Sequence, residues 1–258
     1  MRKVWITALT HDEAPTQTLM RTVATYGLAV DGHFWSDDLK NMAWASAAEP
    51  LEHKETVLWV ISGPAASFGS ESIRYGLAML TLMAQARRGL GFPVVLVPSD
   101  GEVAAAGLPT PLRSAEVLPL AHPALGPKLV ALAATPVKAP ETGYRLAVYA
   151  LPGIGQWIEV GPARGQAWTG ALVGVDTGEI NSHGVGPAGQ LPEKAVVEYP
   201  MKGLKVQLGG RDFYAWAVKN ALSDRESYYV RLTDCPATLL FGPLPEGDDA
   251  DLFTLQLK

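Results

Sequence analysis

The sequence contains a single cysteine, and this scarcity excludes two kinds of protein. Cys235 stands alone among 258 residues, so the chain forms no intrachain disulfide and no cysteine-rich metal site. The histidines are dispersed, with no pair four residues apart that would hold a metal from one face of a helix. They are His11, His33, His53, His122 and His183. We therefore predict no metal site and a reducing compartment.

Long apolar runs and strong positive charge are also missing. No segment reaches the roughly 18 uninterrupted apolar residues that a membrane-spanning helix requires. The first strand-like residues meet a polar break at Thr10-His11-Asp12, which is too early for a signal peptide. A formal net charge of −5 disfavours nucleic acid, whose phosphates attract clustered Lys and Arg. We expect a cytoplasmic protein with neither nucleic acid nor a membrane as its partner.

What the sequence does contain is a core-forming balance of 48% hydrophobic and 18% charged residues. Its first half is organised around residues 56–88. Six β-favouring residues, 56–61, break at Ser62-Gly63-Pro64 and lead into a long helical segment. An apolar run without alternation is typical of a parallel strand that is buried on both faces.

Strand and helix patterns alternate throughout residues 1–134. The strand patterns occupy residues 3–9, 28–35, 56–61, 92–97 and 115–120. This alternation predicts an α/β fold with a doubly wound, mostly parallel, five-stranded sheet of flavodoxin-like layout. In such a sheet we expect any ligand at the carboxyl ends of the strands.

The pattern changes after a Pro-rich, polar stretch at residues 135–143, which we interpret as a linker. Residues 144–258 contain short strand patterns bounded by Gly, Pro or Asp. They predict a small β-rich domain, either a sandwich or a partly open barrel. One helix is expected within it, with Asp212 as its cap and an apolar stripe formed by Phe213, Trp216, Ala217 and Ala221.

The elements of the first half follow a recognisable order. The strand Val4-Trp5-Ile6-Thr7 is followed by Gly27-Leu28-Ala29-Val30 and by a strand that ends in Ser62. A helix bearing Glu71 and the strand Pro93–Val97 come next. In this order and spacing the first half resembles a Toll/interleukin-receptor-like (TIR-like) domain. The resemblance implies homotypic association. Enzymes of this family cleave the nicotinamide–ribose bond of NAD with a glutamate on the helix after the serine-ending strand.

Glu71 is the only acidic residue on that helix, so the resemblance makes it the candidate catalytic residue. A carboxylate near the ribose would stabilise an oxocarbenium-like transition state. The candidate ligand-binding residues are Thr10, Asp12, Trp35, Ser62 and Ser67. Each class of candidate also has a structural interpretation: Glu71 as a first-turn acid, Asp12 as part of a helix cap formed with Thr10 and Glu13, and Trp35 as a packing residue.

Three functions remain open at this point. The first is a signalling or effector protein whose TIR-like domain mediates assembly or senses a nucleotide, and whose β-rich domain recognises a protein partner. The second is an NAD glycohydrolase that uses Glu71. The third is a structural subunit of a larger assembly. We expect no resident cofactor, with NAD entering only as a substrate or ligand.

Overall fold

The structure is a computed structural model that describes residues 2–135, 139–194, 196–245, 247 and 251–258. The chain divides into two compact units, Met1–Pro140 and Glu141–Lys258, and each is described separately. The division falls within residues 135–143, the stretch interpreted as a linker, of which residues 136–138 lie outside the described ones. No helix among the described residues is long and apolar enough to cross a membrane.

The first unit contains a five-stranded sheet in the order β2-β1-β3-β4-β5, with every neighbouring pair parallel. Its strands are β1 (Lys3–Ala8), β2 (Ala29–Phe34), β3 (Thr56–Gly63), β4 (Val94–Pro98) and β5 (Glu116–Val117). The central strand β3 is buried almost throughout, as its uninterrupted apolar sequence indicates. The predicted α/β fold with a flavodoxin-like layout is confirmed.

Helices lie between these strands and after the last of them. They are α1 (Glu13–Thr25), α2 (Ala48–Glu52), α3 (Ala65–Gly69), α4 (Glu71–Arg88) and α5 (Leu125–Ala134), with 3-10 turns at Ala43–Ala47, Ala105–Gly107 and Thr110–Leu112. Helices α1 and α5 join the core through Leu19 and Leu129, which pack with Val4, Leu58 and Val60 of the sheet. The sequence pattern of residues 39–48 predicts a weak helix, whereas the chain forms the 3-10 turn Ala43–Ala47 followed directly by α2.

The second unit is built from two antiparallel sheets, in the orders β10-β14-β7-β6 and β11-β12-β9-β15-β16, and a two-stranded pair, β13-β8. Its strands are β6 (Tyr144–Leu151), β7 (Gly155–Pro162), β8 (Ala167–Trp168), β9 (Ala171–Val175), β10 (Ile180–Pro187), β11 (Met201–Leu208), β12 (Arg211–Val218), β13 (Leu222–Ser223), β14 (Glu226–Leu232), β15 (Thr238–Pro243) and β16 (Phe253–Gln256). His183 contacts Trp216 across the two large sheets, and Tyr144 contacts Phe241, so the sheets face each other as a sandwich.

The helix predicted over residues 212–221 is wrong, because this segment forms strand β12. Phe213, Ala215 and Ala217 are buried, while Tyr214 between them is exposed, which is the two-residue period of a strand. The same segment also satisfies a helical spacing at Phe213 and Trp216, so periodicity alone was ambiguous. Pairing with β9 on one side and β11 on the other decides in favour of the strand.

Candidate functional site

The strand order places the expected ligand crevice above the carboxyl ends of β1 and β3. The chain leaves β1 toward β2 on one side and leaves β3 toward β4 on the other, so the loops after β1 and β3 part at this point. Thr10 and Asp12 follow β1, Ser62 lies near the end of β3, and Ser67 lies on α3. Thus the predicted ligand-binding residues do belong to elements of this edge.

Leu9 fills the space between the two strand ends. Its side chain is buried and lies over Gly63, where a Cβ on the glycine would stand 2.8 Å from the Leu9 Cβ. The Leu9 backbone N–H donates to the Ser62 carbonyl at 2.7 Å, which extends the β1–β3 pairing by one residue. Ser62 itself is only 3% exposed. The crevice is therefore occupied by the protein's own side chain.

Trp35 points into the protein interior. Its backbone N–H donates to the Ala8 carbonyl at 2.8 Å, so the chain continues the β1–β2 pairing past Phe34. The indole ring packs against Gly76 of α4, where a Cβ would stand 2.6 Å from the ring. The Trp35 Nε1 is buried without a hydrogen-bond partner among the described residues. The packing interpretation of Trp35 is therefore the one that its surroundings support.

Asp12 is the N-cap of α1. Its carboxylate accepts a hydrogen bond from the Ala14 backbone N–H at 3.2 Å, and its carbonyl accepts one from the Thr16 hydroxyl at 2.9 Å. The predicted capping box placed the cap at Thr10, two residues earlier. Asp12 lies directly before the first helical residue, where a carboxylate satisfies an otherwise free N–H.

A second carboxylate, that of Asp100, is bonded to the backbone of the loop after β3. Asp100, in the turn after β4, accepts a hydrogen bond from the Ala65 N–H at 2.8 Å at the start of α3. Ser67 is half-buried on this one-turn helix, where its carbonyl accepts from the Ser70 N–H at 3.2 Å. Asp100 therefore takes the position in which a bound anion would meet the α3 N-terminus.

Glu71 is exposed in the first turn of α4 and lies in the electrostatic field of Arg74. The Arg74 guanidinium is fixed by donating to the Gly107 carbonyl at 2.6 Å and to the Phe68 carbonyl at 3.4 Å. Burial lowers the pKa of Arg74, the nearby Arg113 lowers it further, and Glu71 raises it. Glu71 is thus a counter-charge to a fixed arginine.

An aromatic pair that was not among the predicted site residues lies at the same edge of the sheet. His11, after β1, stacks on Phe34 at the end of β2, with ring centroids 4.7 Å apart and an interplanar angle of 29°. Both side chains are exposed. The pair could have been predicted from the sequence, because residues that follow two neighbouring parallel strands lie side by side.

The second unit holds a buried carboxylate on the face of β7 that points away from the other large sheet. Glu159 Oε1 accepts from the Ser227 hydroxyl at 2.7 Å and from the Gly189 N–H at 2.9 Å, and it forms an ion pair with Arg145 at 3.4 Å. The Tyr149 hydroxyl donates to Oε2. Both oxygens of the carboxylate therefore accept hydrogen bonds, as a charge inside a protein requires.

A histidine and a tyrosine meet within the sandwich. His183 Nδ1 lies 2.8 Å from the hydroxyl of Tyr228, and the His183 ring contacts the edge of Trp216, over which Lys202 lies at 4.5 Å. Burial, followed by the Lys202 charge, lowers the pKa of His183, and burial raises the pKa of Tyr228. A neutral imidazole bonded to a neutral phenol is the state that this environment favours.

Metal-ligating side chains do not cluster within the ranges described above: no three His, Cys, Asp or Glu side chains gather there as metal ligands. Cys235 is a free, half-buried thiol.

No protein-family profile and no curated protein matches the sequence. Among solved structures, the chain is similar to a protein of Burkholderia pseudomallei K96243 that is described as pilus assembly-related. The two share 16% sequence identity over 54% of this chain and 95% of that chain. With a TM-score of 0.37, this likeness carries no argument about function.

Proposed function

We propose that this chain is a signalling or effector protein that works through assembly rather than catalysis. Its first unit is a TIR-like scaffold with a protein-binding surface at the carboxyl edge of the sheet, and its second unit recognises a protein partner. The observation that carries the proposal is the closed crevice, in which Leu9 lies over Gly63 at the point where a nucleotide would enter.

The closed crevice argues against a nucleotide ligand in two ways. A ligand would have to displace the buried Leu9 side chain, and it would meet neither Trp35 nor Ser62, which are 5% and 3% exposed. The N-terminus of α3 already has the Asp100 carboxylate as its partner. Because phosphate binding relies on free N–H groups at such a position, the edge is poorly suited to a dinucleotide.

The carboxyl edge is better suited to a protein surface. The stacked rings of His11 and Phe34 are both exposed there. Aromatic side chains bury a large area with little loss of conformational freedom and are common anchors in protein interfaces. Phe34 is therefore the residue that we assign as the anchor of this surface.

One observation keeps NAD cleavage as a second candidate function. Glu71 is exposed at the start of α4 and is accessible to a substrate. Its neighbour Arg74 counts against this activity, because a fixed positive charge beside the carboxylate weakens its stabilisation of an oxocarbenium-like transition state.

The catalytic alternative is tested by measuring nicotinamide release from NAD by the purified full chain at high concentration. We expect no release from the unmodified protein, from Glu71→Gln or from the control Glu52→Gln, which alters another acid on a helix of the same unit. Release that disappears in Glu71→Gln and persists in Glu52→Gln would overturn the assembly proposal in favour of a glycohydrolase.

The proposed surface is tested by replacing Phe34 with a photoreactive phenylalanine derivative in the full chain produced in cells. Met20 is the matched position, because its exposure of 38% is nearly that of Phe34 at 37%. We expect a discrete protein cross-link from position 34 that position 20 does not give. Equal background products from both positions would remove Phe34 from the proposal.

A further inference from the structure

Among the described residues, the two large sheets of the second unit have four edges, and three of these are protected against pairing with another chain. An edge strand presents unpaired N–H and C=O groups, and proteins shield them with bulges, lysines, prolines or short strands. Strand β10 shifts register between Ile180 and Ser182 and ends at Pro187. Strand β11 shifts register before Leu204 and carries two lysines, and β16 is only four residues long.

Strand β6 is different. In the part of the chain that the structure describes, it is the last strand of its sheet, and it is eight residues long. It pairs with β7 in unbroken register from Tyr144 opposite Pro162 to Leu151 opposite Gly155. Its sequence, YRLAVYAL, contains no Pro, Gly or Lys. This is a long, regular and mainly apolar edge.

The one charge on β6 is already engaged within the unit. Arg145 donates from Nε to the Pro162 carbonyl at 2.9 Å and from Nη2 to the Glu226 carbonyl at 2.8 Å, and its Nη1 faces the Glu159 carboxylate. Its guanidinium therefore belongs to the buried network of Glu159 and does not protect the edge of β6 from pairing with another strand. The outer edge of β6 therefore presents no unpaired charge.

The hydrogen-bond pattern shows which backbone groups face outward. The Gly143 carbonyl accepts from the Ala163 N–H at 3.3 Å, so this pair is of the hydrogen-bonded type. Hydrogen-bonded and non-hydrogen-bonded pairs alternate along an antiparallel ladder. The backbone N–H and C=O groups of the odd-numbered residues of β6 therefore point toward β7. Pro162, which has no N–H, stands opposite Tyr144, in agreement with this assignment. The N–H and C=O groups that face outward belong to Tyr144, Leu146, Val148 and Ala150. Of these, the Tyr144 carbonyl also accepts a hydrogen bond from the Thr142 hydroxyl at 2.9 Å, which leaves its second lone pair for a partner strand.

We propose that β6 pairs in antiparallel fashion with β6 of a second copy of this chain, around a two-fold axis at Ala147. The two four-stranded sheets thereby become one continuous sheet. The inference rests on the assembly role proposed above and names the partner of the second unit. A neutral edge suits a second copy, because identical charged edges would repel each other in such a pair.

The position of the axis follows from the outward-facing groups. An axis at Ala147 places Leu146 opposite Val148 of the second copy and Tyr144 opposite Ala150 of the second copy. All four outward-facing residues then find a hydrogen-bonded counterpart. An axis at Val148 would leave Tyr144 opposite residue 152, which is Pro152 and has no N–H to donate.

The register is tested by disulfide cross-linking of the full chain in a Cys235→Ser background. At the axis, Ala147 meets Ala147 of the second copy in a non-hydrogen-bonded pair, with Cα atoms about 4.5 Å apart. This lies within the range of a disulfide, so Ala147→Cys is expected to form covalent dimers under mild oxidation. The control Ala150→Cys faces Tyr144 of the second copy and is expected to stay uncross-linked. Cross-linking of both variants, or of neither, would overturn the proposal.

Sedimentation velocity of the full chain provides the second readout. We expect a concentration-dependent dimer at micromolar concentration. Ala150→Pro removes an N–H that faces the open edge and leaves the pairing with β7 intact, so it is expected to sediment as a monomer. The control Ala150→Ser keeps the N–H and is expected to dimerise like the unmodified chain. A monomeric unmodified chain, or a dimer that persists in Ala150→Pro, would overturn the proposal.

These measurements are independent of the tests of the first unit. Failure of the β6 variants leaves the Phe34 surface and the absence of NAD cleavage as they stand. Conversely, nicotinamide release that depends on Glu71 leaves the β6 dimer unaffected. If Ala150→Pro does not fold, as judged by its circular dichroism, the Ala147→Cys and Ala150→Cys pair still decides the question.

Discussion

Leu9 and Gly63 share one space at the carboxyl edge of the parallel sheet, since a Cβ on Gly63 would stand 2.8 Å from the Leu9 Cβ. The contact is made by the Cβ of Leu9 and not by the flexible end of its side chain, so neither residue can move away without a cost in free energy. We therefore expect Gly63→Ala to lower the free energy of unfolding of the first unit by about 1–3 kcal/mol, the usual effect of overpacking. Urea denaturation measures it.

Gly69→Ala is the matched control for this prediction. A Cβ on Gly69 has nothing within 4 Å, so this variant is expected to be neutral or slightly stabilising. Equal destabilisation by the two substitutions would show that Leu9 is not a tight neighbour of Gly63.

Asp12 is expected to matter for stability and not for ligand binding. Asp12→Ala removes the acceptor for the Ala14 N–H and is predicted to cost about 1 kcal/mol, whereas Asp12→Asn keeps a capping oxygen and is predicted to retain most of that stability. The shift in urea midpoint of the two variants measures the difference. An equal loss in both would mean that the charge, and not the cap, is what matters.

The buried network of Glu159 is the most sensitive polar feature of the second unit. Glu159→Ala leaves Arg145 without its counter-charge in a partly buried position and is predicted to cost about 3–5 kcal/mol. Hydrogen exchange of the Gly189 amide, which donates to Glu159, is predicted to accelerate in this variant. Glu179→Ala, at an exposed position between β9 and β10, is the control and should change stability by less than about 0.5 kcal/mol.

His183 makes the stability of the second unit depend on pH. Burial and Lys202 lower the pKa of His183 below its ordinary value of 6.5, so the unfolded chain binds a proton at a pH where the folded chain does not. Its contribution to stability is complete above that ordinary value and is lost progressively as the pH falls below it. Urea midpoints between about pH 8 and about pH 5 measure the decline.

His183→Gln is expected to flatten this decline, because an amide keeps a hydrogen-bonding partner for the Tyr228 hydroxyl without titrating. His53→Gln changes an exposed histidine of the first unit and serves as the control. A profile that flattens in the control and not in His183→Gln would contradict the assignment.

The parallel-sheet unit was predictable because buried strands and the helix between them have a strong signature. Strand β3 is an unbroken apolar run, and α4 begins soon after Ser62-Gly63-Pro64 and ends at Gly89, as its sequence suggests. Strand β12 was not predictable in the same way. Its Phe213 and Ala217 fit both the strand period and the helical period, Trp216 fits the helical period alone, and only the hydrogen-bonded neighbours of the segment decide between the two.

The position of the candidate site was predictable from the sequence, but the directions in which its side chains point were not. Sequence order places Trp35 and Ser62 at the carboxyl edge, yet nothing in the sequence tells whether an indole turns toward a ligand or onto a helix. Gly76, 41 positions further along the chain, is what receives the Trp35 ring. Likewise, the role of Asp100 at the start of α3 depends on a contact across 35 residues.

Helix α4 has buried residues on nearly every side, including Ile73, Leu77, Leu80 and Leu82, while α1 buries only Leu19 and Val23. The spacing of the positions that are sensitive to substitution should therefore differ between the two helices. In a saturation mutagenesis scan, α1 would show sensitive positions about every fourth residue, and most of the middle of α4 would be sensitive without a period. Such a scan alone would identify α1 as a helix and would make α4 look like an extended core segment.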